Sequence, residues 1–463
     1  MEETADGKVK KKKNFKKFWK LGYDEFNTQF FDISKDDELV VHEGNYQYNI
    51  RDLVEKFGAP LEIVFPFMVE KRFIDLMQTF NFYIKSFEYK GRFFYHYPMK
   101  VNQNKEVVLP LISEGANLET SSYNELWLVR KLWEQDQFHS LIKVICNGPK
   151  TEKYLGLIQE LKEKGLSIIP IIEDLNEYES LKKYKGDVGI RVKLGLKIQS
   201  HWDKKNDRYG LSPEDIYNLG RIRNLKILHY HLGSQTMNQR DLIEAVRMAM
   251  NIFAKIKKNN PAIDTLNVGG GFAVPYEKKK QYSVNSVVKK IIAIVSRICA
   301  QENISHPNII CEWGRYMVAP SQITIFKVLC EKPIYKAAAK KWYIIDGSFM
   351  NDLIDTWAIH QKWHIAPVNN MRSEKLSRVW LAGSSCDSDD RYTAGGSYIL
   401  LPPLDKDNGD QFVALFDSGA YQDSLASHHC LLSSPAKIIA QNGVLTIARH
   451  RETPEEIGRL FGW

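Results

Sequence analysis

From residue 93 onward the chain alternates two patterns of apolar spacing. Short β-branched or aromatic runs read FFYHYPMK (93–100), NLETS (117–121), IKVICNG (142–148), LSIIPIIE (166–173), DVGIRVKLG (187–195), LKILHYHLG (225–233), DTLNVGGG (264–271) and NIICEWGR (308–315). Between them, SSYNELWLVRKLWEQ, TEKYLGLIQELKEKG, QRDLIEAVRMAMNIFAKIKK and SVVKKIIAIVSRICAQ repeat apolar residues every three or four positions, the period of an amphipathic helix. Strand and helix in strict alternation predict a parallel sheet. Eight such units predict an α/β fold, a (β/α)8 TIM barrel spanning residues 66–318.

Past residue 318 the helical period fades. SQITIFKVLC, KKWYIID, SRVWLAGSSC, GGSYILLPP, DQFVALFDSG and GVLTIARH predict a second, mostly β domain over 319–463. ELVVHEGNYQYN reads as a hairpin, so residues 36–65 are expected to join that β domain from the other end of the chain. Residues 1–35 read as a basic tail, because eight lysines (Lys8, Lys10 to Lys13, Lys16, Lys17 and Lys20) crowd the first twenty positions.

Composition narrows the setting. The formal charge of +8 is largely this local run, which more often marks a solvated tail than an arm for nucleic acid or membrane. No nucleic-acid or membrane partner is therefore expected. Six scattered cysteines lack the spacing of a zinc site or a disulfide framework, which favours a reducing, cytoplasmic setting. No apolar span is long enough for a membrane helix, and no signal peptide is indicated.

Barrels of this type collect their chemistry where strands end. The strand ends here are Lys100, Glu119, Asn147, Glu173, Arg191, His231, the glycines 269–271, and Glu312 with Arg315. Each has a plain reading. Lys100 could terminate a strand in solvent, the glycines could make a turn, His231 could sit in the core, and Glu312 could pair with Arg315. Each also has a chemical reading. Lys100, in a cationic and partly dry site, could keep its amine free to attack an aldehyde. Bare backbone after the seventh strand suits a phosphate, with Arg315 adding charge. The flat ring of His231 could stack on a flat cofactor, and Glu312 could hold a protonated pyridine nitrogen. Together these ask for an aldehyde, a phosphate and a pyridine ring, which pyridoxal 5'-phosphate combines.

YPMKVNQNKEVV, GANLETSSYNELWLV, VICNGPKTEKY, LHYHLGSQTMNQRDL, NVGGGFAVPYE, PNIICEWGRYMVA, SCDSDD and GAYQ follow one another across residues 93–422. In order and content they resemble the fold-type III (alanine racemase/ornithine decarboxylase-like) pyridoxal-phosphate decarboxylases, closest to the biosynthetic arginine decarboxylases. The resemblance implies that Lys100 is the Schiff-base lysine and that His231 stacks on the ring. Ser234, Gly269, Gly270, Gly271, Arg315 and Tyr421 correspond to its phosphate shell, and Glu312 to the partner of the ring nitrogen. Glu119 and Arg191 match positions that orient the ring. Cys386 and Asp387 match a loop that reaches into a neighbouring subunit, which implies a homodimer with shared sites, larger assemblies being left open. Cys386 would reprotonate the substrate's α carbon. Asp355 aligns with an acid that binds the distal cationic group of a basic amino acid. His360 stands where the long arginine decarboxylases usually carry an aspartate, and the helical insertion between barrel and β domain is missing. The implied reaction is decarboxylation of L-arginine to agmatine for polyamine synthesis. The alternatives are ornithine, lysine, diaminopimelate or carboxynorspermidine as substrate, or a non-catalytic regulatory homologue. No metal ligand set is indicated, magnesium included.

Overall fold

The computed structural model describes residues 14–135, 142–196, 208–405 and 409–463. The first strands are β1 (Phe31–Ile33), β2 (Leu39–Glu43), β3 (Tyr46–Asn49) and β4 (Leu61–Val64). Then come β5 (Phe93–Pro98), β6 (Asn117–Thr120), β7 (Lys143–Cys146), β8 (Ser167–Ile172), β9 (Val188–Arg191), β10 (Leu225–His229), β11 (Thr265–Asn267) and β12 (Asn308–Cys311). β5 to β12 close a parallel barrel, with β12 pairing back onto β5 through Ile310 and Phe94. Each barrel strand falls inside one of the eight apolar runs read from the sequence.

The covering helices follow the three-and-four spacing. In Tyr123–Glu134 the buried residues include Leu126, Val129 and Leu132, and the Ser122 hydroxyl accepts from the Glu125 amide to start the first turn. Side chains plug the barrel: Ile145, Ile171, Ile227 and Ile310 form a cluster of their own in its interior. The open end is therefore a floored cup, as expected of this architecture.

The second domain holds β13 (Gln322–Pro333), β14 (Lys341–Ile345), β15 (Ile365–Pro367), β16 (Ser377–Ala382), β17 (Arg391–Tyr392), β18 (Ile399–Leu401), β19 (Phe412–Leu415), β20 (Ala436–Gln441) and β21 (Val444–Arg449). Among the described residues they form one ten-stranded sheet together with β4. β4 lies between β13 and β20, with Ile63 opposite both Ile323 and Ile438.

Two expectations about the start of the chain need correcting. The hairpin β2–β3 does not enter that large sheet; with β1 it makes a separate antiparallel sheet, and the contribution to the large sheet comes from β4. The basic segment is also not all tail. Trp19 and Leu21 are buried, and the Trp19 indole donates to the Met371 carbonyl at 2.7 Å. In FKKFWKL the apolar side chains turn inward while lysines face out, Lys16 pairing with Asp32 at 2.8 Å. Lys8 and Lys10 to Lys13 lie outside the described residues.

Candidate active site

β5 is almost wholly buried, and the 3-10 turn Met99–Val101 follows it. Met99 and Val101 are both buried, so the turn is fixed on either side of Lys100. Lys100 Nζ lies 3.9 Å from Glu119 Oε2, at the end of β6. Its side chain is 38% accessible, yet it is crowded by the walls of the barrel mouth. Burial alone would lower its pKa; Glu119 and, more weakly, Glu312 outweigh burial and hold the ammonium above its usual range. The expectation of a cationic surrounding that frees the amine is thus corrected: carboxylates face Lys100 and stabilise positive charge on Nζ.

Glu119 is fully buried. Its Oε1 accepts from Ser121 Oγ at 2.7 Å, while Oε2 has no hydrogen-bond partner among the described residues. Burial pushes this carboxyl up to about 7, with Lys100 pulling the other way.

Glu312 follows β12 and is 2% exposed. It does not pair with Arg315. Its oxygens accept from Asn267 Nδ2 at 2.7 Å and Asn147 Nδ2 at 3.3 Å, and His229 Nε2 lies 3.6 Å away. Burial would raise its pKa, but His229, Lys100 and His231 hold the carboxyl well below the usual carboxylate range. It is a buried acid kept ionised.

The His231 Nδ1 accepts from the Gly233 amide at 2.9 Å. Burial, Lys100 and Arg191 push its pKa well down, so the ring is a neutral plate. Beside it a Cβ at Gly270 would come within 2.7 Å of His231 Nε2 and 3.0 Å of the Glu312 carbonyl. Gly269 has φ +61°, and a Cβ there would strike the Tyr230 carbonyl at 2.2 Å. Only glycine leaves this wall bare.

Arg315 is buried at the cleft's other end. It donates to Ser234 Oγ at 3.1 Å, to Tyr276 OH at 2.6 Å and to Asp355 Oδ2 at 3.1 Å. Burial opposes its charge, but Tyr276 and Asp355 more than compensate and keep the guanidinium cationic. Its plane lies 4.4 Å from the Tyr421 ring. Tyr421 adopts φ +70° and its amide donates to the Val101 carbonyl at 2.8 Å, so the β domain docks directly on the Lys100 turn. Two residues on, Asp423 is held by the buried Lys437 at 2.6 Å and by Arg449 at 3.2 Å. The left-handed backbone of Tyr421 costs about 1–3 kcal/mol, and the surrounding ties hold it there.

Lys100, His231, Ser234, Gly270, Gly271, Glu312, Arg315 and Tyr421 line one cleft enclosing about 300 Å³ of atom-free space. Gly269 directly precedes this wall, and Glu119 reaches it through Lys100. Arg191, at the end of β9, donates to Glu173 at 3.2 Å and lines an adjoining cleft with His231. The structure does not bring the remaining residues to the cleft. Cys386 and Asp387 stand on an exposed loop, near Cys430 and His429. His360, with φ +52°, lines a separate cleft beside Trp357 and Arg391. Asp355 is engaged with Arg315. Asn267, His229 and Tyr276 were not singled out from the sequence; a polar residue at an inward strand position, as in LHYH and LNVGGG, is the signal that could have found the first two, whereas Tyr276 lies in a turn with no such pattern.

The donor set suits pyridoxal phosphate. Arg315 and Ser234 offer a cation and a hydroxyl beside bare glycine backbone for the phosphate, ionised Glu312 suits the ring nitrogen, His231 offers a flat face, and Lys100 the amine. Oε2 of Glu119, buried and without a hydrogen-bond partner among the described residues, lies beside that amine. The family model described as "Pyridoxal-dependent decarboxylase, pyridoxal binding domain" matches residues 74–319. The chain belongs to this family. It is accordingly a pyridoxal-phosphate-dependent decarboxylase. A biosynthetic arginine decarboxylase of Prochlorococcus marinus (strain MIT 9515) is 24% identical over 550 residues, covering 89% of this chain and 84% of the relative. That alignment is longer than the chain's 463 residues, so the relative carries insertions this chain lacks. A biosynthetic arginine decarboxylase of Neisseria meningitidis is 28% identical over 67% of this chain and 53% of its own length. Among solved structures, the biosynthetic arginine decarboxylase of Campylobacter jejuni superposes with TM-score 0.82 at 21% identity, covering 95% of this chain and 92% of that one. Diaminopimelate decarboxylase of M. jannaschii, solved with L-lysine, gives 0.80 at 23% identity, covering 94% and 97%. At these identities the structural likeness shows the fold.

Proposed function

We propose that this decarboxylase acts on L-arginine, releasing CO2 and agmatine for polyamine synthesis. The observation that carries the reading is the single cleft joining Lys100, ionised Glu312 and charged Arg315. The choice of arginine is supported by relatives of that name aligned over as much as 89% of the chain. Bound in the cleft, the cofactor supplies a carbonyl carbon that captures an amine and a protonated ring that accepts the electron pair left by departing CO2. The chain's residues do the rest. Lys100 Nζ, at the cleft wall, would hold the cofactor's carbonyl carbon until a substrate amine arrives. Glu312 keeps a proton on the ring nitrogen, and His231 holds the ring flat. Arg315 and Ser234, with the backbone of 269–271, grip the phosphate, and Tyr421 closes over them. Glu119 and Arg191 orient the ring's neighbours.

Cys386 of a second copy would return a proton to the α carbon, and Asp387 beside it would meet the substrate's distal cation. This reading is supported by the exposed position of that loop, away from the cleft of its own chain, and implies a homodimer with composite sites. Asp355 would serve the same distal cation by exchanging its Arg315 partner. The six unpaired cysteines support a reducing, cytoplasmic setting. Among the described residues no helix is long and apolar enough to cross a membrane, and no cluster of His, Cys, Asp and Glu is arranged for a metal such as magnesium.

A second reading keeps the chemistry and changes the substrate. It is motivated by His360, which stands where the resemblance leads one to expect an aspartate, in a cleft separate from that of Lys100. CO2 release from arginine, ornithine, lysine, diaminopimelate and carboxynorspermidine, offered separately to the purified holoenzyme, tests both. Release from arginine alone supports the first reading, and release from another amine moves specificity to the region of Asp355 and His360. Silence with all five, from protein that visibly binds the cofactor, favours a regulatory homologue.

A further inference from the structure

Two exposed loops of the β domain bring thiols face to face. Cys386 Sγ lies 3.4 Å from Cys430 Sγ, although 44 positions separate them in sequence. Both cysteines are free and exposed. Their loops hang from one support, residues 347–351. On the Cys386 side, the Ser384 amide donates to the Gly347 carbonyl at 2.9 Å, and Asp390 accepts from both Phe349 and Ser385. On the Cys430 side, Asn351 Nδ2 donates to the His429 carbonyl at 2.9 Å, and the His429 amide returns a bond to Asn351 Oδ1 at 3.2 Å. Asp387 and His429, each adjacent to one of the cysteines, meet across the gap at 3.5 Å. The approach of the two sulfurs is therefore built from three separate ties. Closing it to a covalent bond of about 2.05 Å asks for a local adjustment of side chains and loop.

We propose that Cys386 and Cys430 form a modification site, a reversible intrachain disulfide made by exchange with a low-molecular-weight disulfide, and that the link withdraws the Cys386 thiol from catalysis. In the first step one protein thiolate attacks a sulfur of the small disulfide, expelling one small thiolate and leaving a mixed disulfide. The neighbouring protein thiolate then attacks the protein-bound sulfur of that mixed disulfide and expels the second small thiolate. Two protein thiols are oxidised by two electrons, one small disulfide is reduced to two thiols, and the two protons pass to the departing thiolates. The second attack is intramolecular between groups already in contact, so the mixed disulfide does not persist. The hydrogen bond with Cys430, together with its charge, raises the pKa of the Cys386 thiol. The reaction therefore accelerates as pH rises, because the thiolate is the attacking species.

The silencing rests on the proposed role of Cys386, whereas the linkage does not. Purified holoenzyme treated with oxidised glutathione should lose two titratable thiols and yield a Cys386 to Cys430 linked peptide in a non-reducing digest. Activity should fall by roughly 10²-fold, the scale of a lost proton transfer, and return with dithiothreitol. Cys430→Ser, which lacks the second thiol, should give no linked peptide and should instead hold one glutathione as a persistent mixed disulfide on Cys386. Absence of the linked peptide from wild type, or a glutathione adduct that persists on wild-type Cys386, overturns the site. A quantitative linkage with full activity overturns the silencing, and with it the role given to Cys386.

Discussion

Replacing Arg315 by methionine would separate two things this guanidinium does. Methionine occupies much of the arginine stem, so the loss is chiefly polar. In the folded chain, Arg315 is 7% exposed and spends its donors on Ser234, Tyr276 and Asp355. Its removal leaves the Asp355 carboxylate, 4% exposed, without a cation. Stripping one partner from a buried ion pair costs about 3–5 kcal/mol of stability. The phosphate loses a charge-assisted hydrogen bond worth about 1.5–3 kcal/mol, or roughly 10- to 150-fold in affinity. Titrating the apoprotein with pyridoxal phosphate, followed by absorbance, reads the second cost, and denaturant unfolding reads the first. Pyridoxal without its phosphate provides the control, because its binding should hardly change. Arg315→Met combined with Asp355→Asn should recover most of the stability and none of the affinity. The reasoning is refuted if Arg315→Met binds pyridoxal phosphate as tightly as wild type, or weakens pyridoxal and its phosphate equally.

Glu312→Gln should retain the cofactor, since an amide can still accept from Asn267, yet lose on the order of 10²- to 10³-fold in turnover; turnover within a few-fold of wild type would remove Glu312 from its role. Lys100→Ala and Cys386→Ala, each inactive alone, should regain partial activity when their subunits are exchanged, and no recovery after verified exchange would count against shared sites. Asp417 carries a pH signature. It is 2% exposed, accepts from Asn27 Nδ2 at 3.0 Å, and burial pushes its carboxyl up to about 7 despite Asn27, Arg72 and Lys280. Its folded pKa exceeds the ordinary 3.8, so its contribution is full below about pH 4 and is lost as pH rises through 7. Asp417→Asn should thus gain stability relative to wild type between pH 5 and 8, approaching about 4 kcal/mol. A difference that stays flat over that range would contradict the buried, protonated state.

The barrel was legible because each strand is a short β-branched run framed by long amphipathic helices, and two periods in alternation leave little ambiguity. The start of the chain was not. LEIV, four residues with no polar alternation, carries little signal, and its place between β13 and β20 depends on pairings hundreds of positions away. FKKFWKL was dominated by its lysine count, which hid the spacing of Trp19 and Leu21. At the site, polar residues at strand ends could be read directly, since side-chain direction follows from period two. What escaped was the company each keeps. Nothing in Lys100's own segment reveals that Glu119 faces it, and Asp355 could not be seen to meet Arg315 across the domain boundary.

The placement of β4 affects how the protein comes into being on a ribosome. Ile63 emerges long before Ile323 and Ile438, the residues that flank it in the finished sheet. At about 5–20 residues per second, the gap to Ile438 is on the order of tens of seconds. Until β13 emerges both edges of this apolar strand are open, and the edge that takes β20 stays open to the end of the interval, while the barrel strands that follow β4 are complete by Cys311 and free to close. The nascent chain is thus expected to pass through a stage with a formed barrel and an unsatisfied upstream strand, the natural point for a chaperone to engage it.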